Sequence, residues 1–278
     1  MVPLKFRTPV SAGELVRLKR IFSSHGWEDE TRFNRFTELL VHLNKDERQL
    51  VFQLTEDFLD YDITRYQPGF KKLVKQLSLK ALSQFKHLVL LPVKTAKHEV
   101  RRQVKSGHIA VYMASRDVRA LANANGLLFV QAEHASVIKK LPETEPALIV
   151  LIDDFVGSGA TAKDAHVDIR DNFARPNDQI VVVSLIGLKI AESLLNTHKI
   201  EYIFLETRGK GITDSISIVD KSKAGALMTN LEKDIGVSSD FRWGWEKSEA
   251  LVNVLYCPNN TFPIYWWPKE QWPNPFER

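Results

Sequence analysis

The residues best suited to chemistry lie in one short segment, residues 147–161. An apolar run, 147–152, ends at the adjacent carboxylates Asp153 and Asp154, and a small, glycine-rich turn follows in which Ser158 and Thr161 carry hydroxyls. Carboxylates accept hydrogen bonds from sugar hydroxyls, and backbone N–H groups at the start of a helix favour a phosphate. The segment therefore predicts a site for a phosphorylated sugar.

The apolar run has the length of a buried parallel strand. Open α/β sheets bind ligands at the carboxyl ends of their strands, where the two aspartates fall. Gly157 and Gly159 allow the backbone to turn sharply and to approach a ligand, and a helix is predicted from about residue 161 to 173. By itself, the acidic pair would favour a plainer interpretation, a solvated strand end followed by a turn.

The composition is that of a soluble globular protein, with 44% hydrophobic and 26% charged residues among 278. No apolar stretch is long enough to span a membrane, and the N-terminus lacks the apolar core of a signal peptide. Cys257 is the only cysteine, which excludes an internal disulfide and a cysteine-based zinc site. We expect a cytoplasmic location. The net charge of +4 permits contact with nucleic acid or anionic substrates without requiring it.

The predicted secondary structure changes near residue 85, before the segment that contains Asp153 and Asp154. Apolar residues at helical spacing dominate residues 11–85, whereas strands and helices alternate after them, which indicates parallel βαβ units. The prediction is a helical module over residues 1–85 and an α/β domain over 86–278, whose aromatic C-terminus covers the mouth or a flank. The predicted strands are 87–93, 109–113, 127–130, 147–152, 180–186 and 200–205.

The whole pattern around the acidic pair is more specific than the pair itself. An apolar strand, two acids, three residues and then Ser-Gly-x-Thr resembles the phosphoribosyl-diphosphate signature of the type I phosphoribosyltransferases. The resemblance implies their parallel-sheet, Rossmann-like fold. It also implies that Asp153 and Asp154 bind the ribose hydroxyls, directly or through Mg²⁺. The 5′-phosphate would be held by the loop residues Gly157, Ser158, Gly159, Ala160 and Thr161.

Two further sites are implied by the same resemblance. Lys94, Thr95 and Lys97 follow the first core strand, where the family has a loop that contacts diphosphate; an exposed basic loop is an equal alternative. Glu206 and Arg208 stand where a hood would recognise the acceptor, although a polar loop closed by their salt bridge is the favoured interpretation. The C-terminal tryptophans could stack on a base, but core packing is favoured for most of them.

One departure concerns the acceptor. Many purine-salvage members of the family have an acid directly before the Thr-Gly pair, which helps to handle the base, and this chain has Gly157 there. Ordinary salvage of hypoxanthine or guanine is therefore in doubt. The expected reaction is glycosyl transfer from phosphoribosyl diphosphate or cleavage of a nucleotide's N-glycosidic bond, with Mg²⁺.

A narrower resemblance combines the helical module, the motif and the short C-terminal segments 247–251 and 258–267. These features are similar to the bacterial phosphoribosyltransferase-like effectors of anti-phage conflict systems, some of them retron-associated, in some of which the N-terminal part is a winged helix. The resemblance implies a toxin or effector held in an oligomer or complex by a partner such as a reverse transcriptase with its nucleic acid. A basic face for that partner would comprise Lys45, Arg48, Arg65, Lys71, Lys72 and Lys75. The favoured alternative is that these residues form the solvent-exposed side of amphipathic helices.

Alternatives of other classes remain open. The same fold could serve as a non-catalytic nucleotide sensor, or the chain could regulate by binding nucleic acid through residues 11–85. The eight histidines have no His-x-His or His-Glu-x-x-His spacing, so no protein-built metal site is inferred. We expect His134 and His166 to be structural or solvent-facing.

Overall fold

A computed structural model describes residues 9–78, 81–94, 106–268 and 272–278. The helices are α1 (Ala12–His25), α2 (Glu30–His42), α3 (Lys45–Glu56), α4 (Tyr66–Leu77), α5 (Ser106–Ala124), α6 (Ala160–Asn172), α7 (Lys189–Thr197) and α8 (Lys221–Asp234). The strands are β1 (Leu59–Asp60), β2 (His87–Pro92), β3 (Leu128–Gln131), β4 (Ala147–Val156), β5 (Gln179–Leu188), β6 (Glu201–Arg208) and β7 (Val252–Asn253). None of the described helices is long and apolar enough to cross a membrane.

Five parallel strands form the main sheet in the order β3-β2-β4-β5-β6. β2 is buried along its whole length, and β4 and β5 nearly so, because helices cover the sheet; this explains their almost uninterrupted apolar sequences. The chain runs from β2 outward to β3 and then returns to place β4 on the other side of β2. The carboxyl ends of β2 and β4 therefore flank a topological switch point, the usual position of a ligand in such sheets. The predicted α/β fold with a parallel sheet is confirmed.

The chain packs as two compact units. Residues 62–208, the sheet unit, hold the five-stranded sheet with α4–α7. The described parts of residues 1–61 and 209–278, the helical unit, hold α1–α3, α8 and the parallel pair β1–β7. This spatial division differs from the sequence boundary near residue 85, which stays a prediction about where a separate folding module ends.

Aromatic side chains form the core of the helical unit. Phe58 stacks on Phe276 with ring centroids 4.4 Å apart, and Tyr265 is fully buried beside Phe58. The indole N–H groups of the buried Trp266 and Trp272 donate to backbone carbonyls. Trp243 and Trp267 pack partly buried against the same core, whereas Trp245 is exposed, so the expectation that most C-terminal tryptophans pack in the core is confirmed.

Two sequence expectations are wrong. Residues 109–113 are not a strand but lie inside α5, because small and apolar residues spaced three and four apart bury one helical face, among them Ala110, Ala114 and Val118. The N-terminal helices do not form a winged helix with a hairpin wing: in the described residues of the helical unit the strand pairings are parallel, between β1 and β7 and at an isolated bridge between Ala250 and Thr261.

Candidate functional site

The carboxyl end of β4 places Asp153 beside the first turn of α5. The Oδ1 atom of Asp153 accepts hydrogen bonds from the Ser106 hydroxyl at 3.0 Å and from the Asp154 backbone N–H at 2.9 Å. A Cβ added to Gly107 would lie 3.6 Å from the same oxygen, so the start of α5 packs closely against this carboxylate. Asp153 nevertheless keeps part of its residue surface exposed at the switch point, although its carboxyl group is largely desolvated.

Asp154 lies in a different environment, although it is the next residue. Its side chain is buried, with only 1% of its surface exposed. Its Oδ2 atom accepts a hydrogen bond of 2.7 Å from the hydroxyl of Tyr66, the first residue of α4, whereas its Oδ1 atom is buried without a hydrogen-bond partner among the described residues. The expectation that both acids face a sugar stays a prediction, and of the two residues only Asp153 has appreciable exposed surface.

The environment of Asp153 disfavours its charge. Burial, the neighbouring charge of Asp154 and a hydrogen bond between the two side chains raise the pKa of Asp153 well above its usual range, against the opposing hydrogen bonds from the Ser106 hydroxyl and the Asp154 N–H. Carboxylates with raised pKa values at the mouth of a sheet are candidates for functional groups, because folding alone does not favour such an arrangement.

The turn after β4 ends at the start of α6, as the sequence predicts. Gly159 has φ +85°, and a Cβ there would lie 3.1 Å from the Cα atom of Ala191. No side chain caps α6, and the Ser158 hydroxyl accepts only a long hydrogen bond of 3.4 Å from the Ala160 N–H. The first N–H groups of a helix carry partial positive charge. The arrangement is suited to an anion, with the hydroxyls of Ser158 and Thr161 nearby in sequence.

The other predicted site residues have mixed outcomes. Lys94 follows β2 and is partly buried, at the switch point; Thr95 and Lys97 lie outside the described residues. Glu206 and Arg208 lie near the end of β6, where their side chains form an ion pair at 3.4 Å, as the favoured interpretation expects. Both keep about a third of their side-chain surface exposed, so they stay available as candidates for acceptor recognition.

The described side chains could hold Mg²⁺ together with the phosphates of a bound substrate. Among the described residues there is no group of three or more His, Cys, Asp or Glu side chains that could hold a metal ion. Mg²⁺ is commonly bound by one or two carboxylates while substrate phosphates and water complete its shell. Asp153, which is partly exposed, fits that role.

The expected basic face needs one correction. Arg48 is not on a surface: it is 3% exposed and donates to the Leu40 and Pro9 carbonyls and to the Glu14 carboxylate. Lys71, Lys72 and Lys75 of α4 are exposed, in agreement with the wet side of an amphipathic helix.

Tyr66 and Ser106 are site residues that the sequence did not indicate. Tyr66 precedes Asp154 by 88 residues and Ser106 precedes Asp153 by 47. Both stand at helix starts in the described chain, but nothing in their local sequence distinguishes them from ordinary polar or core residues. Only the packing of α4 and α5 on the sheet brings them to the acidic pair.

The five-stranded parallel sheet, the acids after its central strand and the uncapped start of α6 define a phosphoribosyltransferase-like domain. The family model described as PRTase-CE matches residues 28–278, and the chain belongs to that family. No curated protein matches the sequence.

Several solved structures resemble part of the chain. Orotate phosphoribosyltransferase from Aeropyrum pernix is 13% identical over 50% of this chain and 68% of its own, with a TM-score of 0.31. A hypothetical protein from Neisseria gonorrhoeae with bound ppGpp is 12% identical over 60% and 96%, with a TM-score of 0.33. Xanthine-guanine-hypoxanthine phosphoribosyltransferase from Helicobacter pylori is 14% identical over 54% and 89%, with a TM-score of 0.33. TM-scores this low support no statement about ligand or activity.

Proposed function

We propose that this protein binds phosphoribosyl diphosphate or a phosphorylated nucleoside with Mg²⁺ and breaks or exchanges the glycosidic bond at ribose C1′. Asp153 would contact the ribose hydroxyls or the metal, and the 5′-phosphate would lie on the turn 157–161 and the N-terminus of α6. Positive charge develops on the ribose ring as the bond breaks, and a carboxylate nearby offsets it. Mg²⁺ would neutralise the departing diphosphate.

The observation that carries this proposal is the juxtaposition of a partly exposed aspartate with an uncapped helix start. Asp153 is the first residue of β4 that is not buried, and α6 begins seven residues later without a side-chain cap. One end of this arrangement suits a polyol and the other suits a phosphate dianion, so the pair suits a phosphorylated ribose.

The test is incubation of the purified chain with phosphoribosyl diphosphate and Mg²⁺, while released diphosphate and the melting temperature are measured. We expect thermal stabilisation in the wild type and, with water as the acceptor at ribose C1′, release of diphosphate and ribose 5-phosphate; Asp153→Asn should lose both the stabilisation and the release. Asp171→Asn, which alters an exposed carboxylate at the far end of α6, is the matched control and should behave as the wild type. A wild type that neither binds nor turns over the ligand would refute the proposal.

A second candidate function is nucleotide sensing without turnover. The burial of Asp154 leaves one partly exposed aspartate, which is enough for binding through the phosphate cradle and one sugar contact. The same incubation separates the two candidates, because a sensor is stabilised by the ligand while no diphosphate appears. A protein that acts through nucleic acid would instead bind it with a strong dependence on salt.

We further propose that the activity serves as a toxin or effector in bacterial anti-phage defence, restrained by a reverse transcriptase–nucleic acid partner. This follows from the resemblance carried by the helical module, the motif and the short C-terminal segments 247–251 and 258–267. Its test is an untargeted nucleotide profile of cells that express the wild type or Asp153→Asn, with and without phage. Equal profiles and equal growth would contradict the role.

A further inference from the structure

The helices α4 and α5 form one layer on the sheet. α5 packs against β2, β3 and β4, α4 packs against β5 and β6, and the two helices pack against each other. Ile149 and Leu151 point to the other face of the sheet, which α6 and α7 cover. Their neighbours Leu148 and Val150 are equally buried and point to the face on which α4 and α5 lie. The solvent-facing sides of α4 and α5 therefore make one surface of the sheet unit.

These two helices run in the same direction from the same level. Tyr66 is the first residue of α4 and Ser106 is the first of α5, and their hydroxyls contact Asp154 and Asp153 at the carboxyl end of β4. α5 then leads to the amino end of β3 and α4 to the amino end of β2, so both helices run antiparallel to the strands. The axes of packed helices lie about 8–10 Å apart. Residues equally far from the two helix starts therefore lie beside each other, within about one turn.

The outer surface of this layer is basic. α4 contains no Asp or Glu, and α5 contains only Asp117. The exposed cations of the two helices, called the α4–α5 basic face below, are Lys71, Lys72, Lys75, Arg116 and Arg119. None of the five has an ion-pair partner among the described residues. Opposite charges spaced three or four apart stabilise a solvated helix and like charges destabilise it, so this grouping is not explained by the stability of the helices.

An exposed aromatic ring lies within the basic face. Tyr112 is 78% exposed, and Arg116 and Arg119 follow it four and seven residues later on the same side of α5. Because the two helices are parallel and start at one level, Lys72 lies beside Tyr112 and Lys75 lies beside Arg116. The ring therefore has cations on both sides.

We propose that the α4–α5 basic face binds single-stranded nucleic acid, with its cations on the phosphates and Tyr112 stacked on an unpaired base. A positive surface combined with aromatic side chains is the usual means of binding single strands, because every base has a face that can stack. A duplex, an acidic peptide or an anionic membrane would use the charges but would give the exposed ring no comparable role. The surface uses neither Asp153 nor the turn 157–161, so the inference goes beyond the proposed glycosidic chemistry and does not depend on it.

The experiment measures binding of a fluorescein-labelled single-stranded oligodeoxythymidine to the full chain by anisotropy, between about 50 and 200 mM salt. If all five cations contact phosphates, the logarithm of the association constant falls with the logarithm of the salt concentration with a slope of about −3.5, from about −0.7 per phosphate. The triple variant Lys71→Gln, Lys72→Gln, Lys75→Gln should make this slope shallower by about 2, and Arg116→Gln with Arg119→Gln by about 1.4. All five residues are exposed, so the variants should keep the fold, which circular dichroism checks.

Tyr112→Ala tests the contact with a base. It should weaken binding of the single strand about tenfold, because a stacking partner is lost, and leave the salt slope unchanged, because no charge is removed. A duplex of the same length offers no unpaired base, so it should bind more weakly than the single strand, and Tyr112→Ala should not affect its binding. Equal binding of the single strand by Tyr112→Ala and by the wild type would overturn the assignment to single strands.

The matched control changes Lys139, Lys140 and Lys199 to glutamine. These three lysines are exposed, and the segment 135–140 packs with α6 and α7 on the other face of the sheet. The control has the same net charge as the triple variant of α4 but should keep the salt slope of the wild type. Equal weakening in the two triple variants would overturn the inference, as would a wild type that fails to bind the oligonucleotide at about 50 mM salt or binds only vesicles of anionic lipid.

One further variant separates this inference from the proposed function. Asp153→Asn, which should lose the reaction with phosphoribosyl diphosphate, should bind the oligonucleotide as tightly as the wild type does. A wild type that binds the oligonucleotide without acting on phosphoribosyl diphosphate would refute the proposed function and support the basic face. The reverse result would refute the basic face alone.

Discussion

Glu232 offers a test of the physical reasoning that is independent of function. This glutamate of α8 has no exposed surface, and both its carboxylate oxygens contact a single donor, the Trp243 N–H, at 2.9 and 3.2 Å. Burial raises its pKa from 4.5 to about 8, against the smaller opposing effects of the Trp243 hydrogen bond and the charge of Arg242. We therefore expect Glu232→Gln, which keeps an acceptor for Trp243 and cannot ionise, to stabilise the helical unit at neutral pH.

The sign and the size of the effect follow from linkage. Between pH 4.5 and pH 8 the folded carboxyl keeps a proton that the unfolded one has lost, so the free energy of unfolding decreases as the pH rises through this window. At about 1.4 kcal/mol per pH unit, the loss amounts to about 3 kcal/mol at pH 7. Below pH 4.5, where Glu232 is protonated in both states, the variant and the wild type should be equally stable.

Denaturant unfolding followed by tryptophan fluorescence is the suitable assay, because all six tryptophans lie in the helical unit. Glu249→Gln is the matched control. Glu249 is also buried, but its carboxylate accepts from the Ile212 N–H at 3.0 Å and from the Thr213 N–H and hydroxyl at 2.8 and 2.6 Å. Its replacement weakens charge-assisted hydrogen bonds and should destabilise the unit by about 1–3 kcal/mol.

Opposite signs for two buried glutamates are the essential expectation. The reasoning would be refuted if Glu232→Gln destabilised the helical unit at pH 8, or if its advantage over the wild type were the same at pH 4.5 and pH 8. A stabilising Glu249→Gln would likewise contradict the view that its hydrogen-bond donors, together with Lys210 Nζ at 3.7 Å from Oε1, let the buried Glu249 carboxylate stabilise the fold.

Three further predictions concern single residues. Asp153→Asn should increase the melting temperature of the sheet unit, measured by circular dichroism, because the raised pKa of Asp153 means that its ionisation destabilises the fold. The increase should grow with pH above the ordinary carboxyl range, and a lower melting temperature at pH 8 would contradict this. Gly159→Ala should lower the free energy of unfolding by about 1–3 kcal/mol, because the φ of Gly159 is +85° and the added Cβ would lie 3.1 Å from the Cα atom of Ala191. The variant should also weaken phosphate binding, which calorimetric titration with phosphoribosyl diphosphate checks. Gly244→Ala should lower the free energy of unfolding by about 3 kcal/mol or more, because the φ of Gly244 is +74° and the Asn260 carbonyl oxygen would lie 1.9 Å from the new Cβ. An unchanged denaturation midpoint would contradict this expectation.

The sequence predicted those features of the site that are local in the chain. The apolar run 147–152 is strand, the turn 157–159 follows it, and α6 starts within one residue of the expected position. Each of these is determined by periodicity and turn chemistry within about fifteen residues. By contrast, the run 109–113 gave the wrong element, because five apolar residues fit a short strand as well as one face of α5.

Long-range features were beyond the same reasoning. Arg48 has the sequence context of an exposed helical position, but its guanidinium lies inside the helical unit and donates hydrogen bonds to the Leu40 and Pro9 carbonyls. Tyr66 has the sequence context of a core aromatic, and its packing agrees with that, but the hydroxyl has a partner far along the chain. A buried polar group must find a partner, although nothing in the local sequence says which one.

Asp153 and Asp154 are adjacent in the sequence motif, but they have different surroundings at the end of β4. In this chain the Tyr66 hydroxyl of α4 contacts Asp154, the Ser106 hydroxyl of α5 contacts Asp153, and these two helices pack against each other. The site therefore has one partly exposed aspartate beside a buried one, whose charge raises the pKa of the first. Proton release from Asp153 on ligand binding is then expected: a metal ion or a phosphorylated sugar that requires the ionised carboxylate must displace that proton, and calorimetry in buffers of different ionisation enthalpy would detect it.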